Sequence, residues 1–179
     1  MLWLLTPSVF AHPHAFIDMK TKILVKNQQL VGFSAQWILD EPSSAAMLYD
    51  INQAHGNKQA LQKLINEIIS NVVNEHYFSY LFDKNENKVK YSAKPENYGM
   101  KTSGSQVLYY FDFMLSKPQS LVDNEFTLST YDPTYYVAMY YDQPVNQAVD
   151  FSQLPANCRG EVLEPQVDNK IKEYASSLD

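Results

Sequence analysis

Two histidines near the amino terminus are separated by a single proline, in the segment His12-Pro13-His14. A cut after Ala11 would make His12 the first residue, and its free amino group and imidazole could then bind one metal ion together. The imidazole of His14 would add a third nitrogen. Nitrogen ligands of this kind suit Ni(II), Co(II), Cu(II) and Zn(II). The pattern therefore predicts a metal chelate at the start of a processed chain.

Pro13 restricts the geometry of such a chelate, because a square-planar site built on deprotonated backbone amides needs an N–H that proline lacks. We expect the amine, two imidazoles and one carboxylate from a distant turn. Asp132 is the first candidate and Asp40 the second, since each stands at the end of a predicted strand, where rigid backbone could anchor a flexible terminus. The alternative is a frayed tail that binds no metal, with both aspartates serving only as helix-entry and turn residues.

The segment that precedes these histidines has the features of a secretion signal. Residues 2–10 (LWLLTPSVF) form an apolar run, and the small residue Ala11 closes it in the way that signal peptidase accepts. The run is too short to span a bilayer, and no Lys or Arg precedes it. We expect residues 1–11 to be removed and residues 12–179 to form one periplasmic domain. Without that cleavage, His12 would lack the free amine.

The composition excludes several classes of function. A net charge of -6 leaves no basic stripe for nucleic acid, and a single cysteine, Cys158, permits no disulfide within the chain. The sequence contains no nucleophile elbow, no glycine-rich phosphate loop and no HExxH zinc helix. We therefore expect a protein that is not an enzyme.

The histidines lead directly into a predicted β-hairpin. Apolar and polar residues alternate over 16–25 and again over 31–39, and the polar residues 27–29 form a plausible turn between them. A short helix should follow, capped by Ser43 or Ser44 and extending to about Ile51. A stronger helix should begin near Asn57 and end around His76, because its apolar residues recur at helical spacing.

The rest of the chain reads as strands joined by turns. Strands are predicted at 78–82, 88–93, 106–115, 125–131 and 135–141, with turns at 83–87 and 116–118 and a terminal helix at 166–177. The sequence therefore predicts one α+β domain with a mainly antiparallel sheet, two helices inserted after the first hairpin, and a short C-terminal helix.

Four segments together resemble one protein family. They are HPHAFID at the predicted mature start, WILDEPSS after the hairpin, YDPTYYVAMYYD near the end, and PANC at the cysteine. In this order they resemble the DUF1007 proteins, which are secreted bacterial proteins. The matching positions are His12, His14, Asp18, Trp37, Asp40, Tyr131, Asp132, Pro133 and Cys158. Members of that family are often described as periplasmic components of ABC-type transport systems and are associated with nickel and cobalt permeases.

The resemblance implies a function in metal handling, and three hypotheses follow. The first is a periplasmic metal-binding accessory that exchanges Ni or Co, or as a second choice Cu or Zn, with an inner-membrane permease or transporter. The second is an interaction module of a transport assembly that binds no metal and docks through its aromatic segment 131–142. The third, which the sequence supports least, is a copper monooxygenase with an N-terminal histidine brace. None of the three requires nucleic acid or insertion of the mature chain into a membrane.

The proposed cleavage can be tested directly. N-terminal sequencing of the protein recovered from the periplasm should return a chain that begins at His12, because Ala11 provides the small residue that signal peptidase requires. A recovered chain that still begins before His12 would contradict the prediction.

Overall fold

Nine strands and three helices make up the part of the chain that the computed structural model describes, residues 14–142 and 144–163. In chain order they are β1 (Ala15–Lys26), β2 (Gln29–Leu39), α1 (Glu41–Gln53), α2 (Lys58–Asn74), β3 (Ser79–Asp83), β4 (Lys88–Val89), β5 (Glu96–Ser103), β6 (Gln106–Ser120), β7 (Phe126–Thr130), β8 (Val137–Tyr140), α3 (Val145–Ala148) and β9 (Val149–Asp150).

The strands form two sheets. The larger sheet has the order β5-β6-β2-β1-β8, with β9 pairing to β1 further along, and the smaller sheet has the order β4-β3-β7. All pairings are antiparallel except those of β8 and β9, which both run parallel to β1. The predicted fold class, a single α+β domain with a mainly antiparallel sheet, is confirmed.

The hairpin β1–β2 provides the centre of the larger sheet. Asn27 and Gln28 connect its strands with φ values of 50° and 59°. Two-residue turns with positive φ at both positions are common in hairpins, because their backbone twist matches that of the flanking strands. Alternation along β2 sends Phe33, Ala35 and Trp37 into the core, each at most 4% exposed. The predicted hairpin is confirmed.

Aromatic rings fill the space between the two sheets. Tyr77, which follows α2, stacks on Phe111 and Phe113 of β6 with ring centroids 5.9 and 5.0 Å apart. The ring of Trp37 meets Phe111 edge-on at 4.8 Å. Such pairs add to the stability that apolar burial provides. These rings form a continuous core on one face of the larger sheet.

Helix α1 is joined to the sheet by one buried hydroxyl. Ser44 donates to the carbonyl of Leu39 at 3.2 Å and accepts from the N–H of Val107 at 3.1 Å, and its side chain is fully buried. The helix cap is Asp40, whose carboxylate accepts from the N–H of Ser43 at 2.8 Å. The predicted serine caps were wrong, because Ser44 bonds to strands rather than to its own helix end.

Helix α2 ends in a rare left-handed turn. The helix begins where predicted, with Asn57 as its N-cap, but it stops at Asn74 rather than at His76. His76, Tyr77 and Phe78 then have φ values of 54°, 58° and 50°, a conformation that costs about 1–2 kcal/mol for each such residue. This turn places Tyr77 in the core and lets the Phe78 carbonyl accept from Tyr131 N–H at 2.9 Å.

Several strand predictions need correction. Residues 116–118 form no turn, because β6 runs on to Ser120. Pro118 lies where the β2–β6 register shifts, and its missing N–H is tolerated there because no ladder hydrogen bond needs it. Strand β5 was not predicted, since it is mostly polar and exposed. The predicted strand 88–93 shrinks to β4 plus a single bridge from Tyr91 to Leu115.

The remaining differences concern the ends of elements. The predicted strands 78–82, 125–131 and 135–141 are observed as β3, β7 and β8, each displaced or shortened by one to three residues. The predicted terminal helix at 166–177 lies outside the described residues. Within the described ranges, no helix is long and apolar enough to cross a membrane.

Replacing Ser44 should lower the free energy of unfolding. Ser44→Ala leaves the Val107 N–H without its acceptor, so we expect a loss of about 1–3 kcal/mol in the free energy of unfolding, measured with urea. Ser70→Ala, on the exposed surface of α2, is the matched control and should change stability by less than about 0.5 kcal/mol. Equal stabilities for the two variants would refute the assignment.

Candidate metal centre at the start of the first strand

Three of the four family-like segments meet at the beginning of β1. On one side, the N–H groups of His14 and Ala15 donate to the carbonyl of Tyr136 at 2.8 and 3.3 Å. On the other side, Phe16 and Asp40 exchange two bonds, since Asp40 N–H donates to the Phe16 carbonyl at 3.0 Å and Phe16 N–H donates to Asp40 Oδ2 at 2.8 Å. The strand is therefore held from both edges where it begins.

Asp40 serves two backbone segments with one carboxylate. Its Oδ1 accepts from the Ser43 N–H at the start of α1, and its Oδ2 accepts from Phe16 of β1. Burial raises the pKa of this carboxyl, but the hydrogen bonds from Ser43 and Phe16 together outweigh burial, so the net pKa is lowered. Asp40 is therefore an ionised link between helix and strand.

Asp132 holds the loop that lies on the opposite side of β1. Only 5% of the residue is exposed. Its Oδ1 accepts from the Thr134 N–H at 2.8 Å and the Thr134 hydroxyl at 2.7 Å, and its Oδ2 accepts from the Val137 N–H at 2.9 Å. Burial raises the pKa of Asp132, but hydrogen bonds from Thr134, Val137 and Tyr136 outweigh it and lower the pKa. The predicted turn is present, and the carboxylate organises it.

The His14 side chain lies against an aromatic ring of this loop. The imidazole is 4.9 Å from the Tyr136 ring, centroid to centroid, with the two planes tilted by 36°. His14 is nevertheless exposed, so its nitrogens remain accessible to a ligand. An accessible imidazole on backbone that is fixed by hydrogen bonds is a suitable first ligand for a metal ion.

Three of the four predicted site residues lie near the start of β1, each with its own hydrogen-bond or ring contacts, and none of the contacts described joins one of these three side chains to another. Asp40 and Asp132 hold the backbone on either side of the strand that carries His14, while His12 lies outside the described residues. Within 14–142 and 144–163, no three His, Cys, Asp or Glu side chains converge closely enough to hold a metal ion. A chelate at His14 would therefore need further donors, which His12 would supply in the predicted processed chain.

An acidic group that the sequence analysis did not assign to the site lies beside Phe16. Asp18 Oδ1 accepts from the N–H of Asp142 at 3.1 Å. Burial first, and then the negative charges of Asp18, Asp142 and Asp40, raise the pKa of the Tyr140 phenol. Tyr140 pairs with Asp18 across the β1–β8 ladder. Their proximity follows from parallel pairing, which the alternating pattern alone could not reveal.

The whole chain, residues 1–179, matches the family described as "Protein of unknown function (DUF1007)". The chain belongs to the DUF1007 family. It is also 56% identical over 171 residues to a protein of Haemophilus influenzae named only as uncharacterized, covering 96% of this chain and 82% of that relative. No solved structure matches the chain.

The other family-like positions of this DUF1007 chain have structural surroundings of their own. Trp37 is in the core, while Tyr131 is half-exposed and its ring lies 4.8 Å from that of Tyr80. Cys158 is half-buried, and its backbone N–H donates to the Pro155 carbonyl at 2.8 Å. None of these three supplies a hydrogen bond to residues 14–16. The positions that match the family therefore include residues away from the start of β1 as well as residues next to it.

The buried carboxylate predicts a pH-dependent stability. Asp132→Asn places an amide NH₂ against N–H donors, so we expect a loss of about 2 kcal/mol in unfolding free energy at pH 7. Because the folded pKa is lowered, the stability that the ionised carboxylate contributes is present above about pH 4 and is lost as pH falls through the folded pKa. The difference between wild type and variant should therefore shrink on acidification.

Urea unfolding at a series of pH values measures this difference. Asp123→Asn, at an exposed carboxylate in the loop before β7, is the matched control and should unfold like the wild type throughout. Parallel stability curves for wild type and Asp132→Asn down to about pH 2 would show that ionised Asp132 contributes nothing.

Proposed function

We propose that this protein is a periplasmic metal-binding accessory of a transition-metal transport system. Its cargo is Ni(II) or Co(II), with Cu(II) or Zn(II) as the second choice, and it exchanges that ion with an inner-membrane permease or transporter. The proposal combines a donor set at the processed amino terminus with a fold that fixes the strand leading out of it. It assigns no catalytic step to the protein.

The observation that supports the proposal is the double restraint on the start of β1. A terminal chelate is weakened by the entropy of ordering it, and ligands on pre-fixed backbone avoid part of that cost. Here the His14 N–H bonds to Tyr136, and Phe16, two residues later, bonds to Asp40. One buried carboxylate, Asp132, and one half-buried carboxylate, Asp40, thus stabilise the backbone on either side of His14.

The proposed ligands are the amine and imidazole of His12, the imidazole of His14 and one carboxylate. A carboxylate offers about four acceptor positions. Asp40 uses two of them, for Phe16 and Ser43, whereas Asp132 accepts three bonds from Thr134 and Val137 and is also approached by Tyr136. Asp40 therefore keeps more capacity for a metal than Asp132.

Calorimetric titration of the tag-free chain that begins at His12 tests the proposal. We expect one ion bound with a Kd below about 1 µM, equivalent to about 8 kcal/mol. The affinity should fall as pH drops below about 6.5, because ligation needs neutral imidazoles and a free amine. Adding one residue before His12 should weaken binding at least about tenfold, about as much as His12→Ala, because it removes the amine from the chelate.

His55→Ala is the matched control, since His55 is an exposed loop histidine outside the proposed site and its loss should leave the affinity unchanged. Asp40→Asn and Asp132→Asn test the two carboxylates. A variant that loses affinity while the amides of Phe16 and Val137 stay protected from hydrogen exchange has lost a ligand, whereas loss of both affinity and protection indicates loss of the backbone restraint. Full affinity in the extended chain would exclude the amine. Failure to bind any of the four ions below about 1 µM would refute the proposal.

A second candidate is an interaction module of a transport assembly that binds no metal. The observation that favours it is the exposure of aromatic rings along the loop and strand after Asp132. Tyr135 is 73% exposed and Tyr136 57% exposed, although large aromatic side chains are usually buried or engaged at interfaces. Absence of metal binding, together with intact folding, would favour this candidate.

A further inference from the structure

Strand β8 is at the edge of the larger sheet. Its inner side pairs with β1, and among the described residues no strand pairs with its outer side. Exposed strand edges present N–H and C=O groups that can pair with another chain, and natural proteins often protect them. An edge that is neither covered nor interrupted by proline is therefore a candidate for strand addition.

The direction of the hydrogen-bonding groups in β8 can be deduced. The Tyr136 carbonyl accepts from β1, whereas the Val137 N–H bonds to Asp132 and not to β1. Because N–H groups of successive residues point to opposite sides of a strand, the N–H of Met139 also points away from β1. Asp132 thus accepts from the first outward N–H, and within residues 14–142 and 144–163 no strand pairs with the outward groups of Met139.

The surface around this edge is both aromatic and acidic. Phe16 is 45% exposed and Tyr140 is 42% exposed, and Tyr140 stands on the same sheet face as Asp18. Asp142 lies two residues after the end of β8. Lys20, two residues beyond Asp18, is the one cation of β1 and β8 near this end. Acidic groups around tyrosine rings favour a lysine or arginine side chain, through ion pairing and cation–π contact.

We propose that the outer edge of β8, with the flanking side chains of Phe16, Asp18, Tyr140 and Asp142, docks an extended, lysine- or arginine-bearing segment of a partner protein by strand addition. As the partner surface of the accessory proposed above, it rests on that function. Main-chain bonds to Met139 give the segment its register, and the carboxylates select its charge. The Asp132 turn keeps the edge preformed, which lowers the entropic cost of docking.

Selection from a random-peptide display library against the full-length folded domain, in EDTA, tests the proposal. The expected result is enrichment of peptides rich in lysine and arginine in alternation with apolar residues. Bound peptide should shift the amide NMR signals of residues 137–141 and of Asp18. Replacing Asp18 and Asp142 together with Asn should weaken the selected peptide about tenfold, and raised salt should weaken it further.

The matched control is the double variant Glu86→Gln and Asp123→Asn, which removes two exposed carboxylates from loops beside the smaller sheet and should bind like the wild type. Met139→Pro removes the outward N–H and should weaken peptide binding, and a thermal melt identifies any loss of folding in that variant. Tyr140→Ala, on the exposed face, should also weaken peptide binding and leaves the backbone N–H groups in place.

Several results would overturn the proposal. They are no enrichment of any peptide, enrichment without basic residues, or binding that maps away from β8. A concentration-dependent dimer that Tyr140→Ala abolishes would make a second copy of the chain the occupant. Enrichment only after removal of residues 164–179 would make that segment the occupant. Because the selection is done in EDTA, failure of docking leaves the metal proposal standing, and failure of metal binding leaves docking testable.

Discussion

The carboxylates of Asp40 and Asp132 determine how β1 begins, and the geometry of the candidate site depends on them. A strand that starts at a sheet end has backbone N–H groups that need acceptors. Asp40 provides one for Phe16, and Asp132 shapes the loop whose Tyr136 carbonyl receives His14. Both carboxyls have lowered pKa values because hydrogen bonds to the ionised form outweigh burial. The same bonds bring a histidine, an acidic helix cap and an aromatic loop into one region.

Elements with a strong local periodicity were predicted correctly from the sequence. The alternation in β1 and β2 predicted the hairpin, and the helical spacing after Asn57 predicted α2. Local signals failed where tertiary contacts decide. Ser44 looked like a helix cap but bonds to two strands. The left-handed turn at Tyr77 is stabilised by partners far away in sequence, namely the rings of Phe111 and Phe113 and the N–H of Tyr131.

Residue type and motif were enough to select His14, Asp40 and Asp132 as candidates, and that they bind a metal remains a prediction. In the structure His14 directly precedes β1, Asp40 bonds to Phe16 of β1, and Asp132 bonds to Val137 of the neighbouring strand β8. Their hydrogen-bond partners could not be anticipated, because the parallel pairing of β8 with β1 depends on a long-range connection. For the same reason the contact of Asp18 with Asp142, 124 residues apart, had no local signal.

Asp40 and Asp132 fix the backbone from which His14 projects. Native-state amide hydrogen exchange measures this restraint residue by residue, because exchange reports local opening. We expect slow exchange at His14, Phe16 and Val137 in the wild type. Asp40→Asn should accelerate Phe16 selectively and Asp132→Asn should accelerate Val137 and His14, while core amides such as that of Phe111 stay protected. Fast exchange at these three amides in the wild type, or no change in the variants, would contradict it.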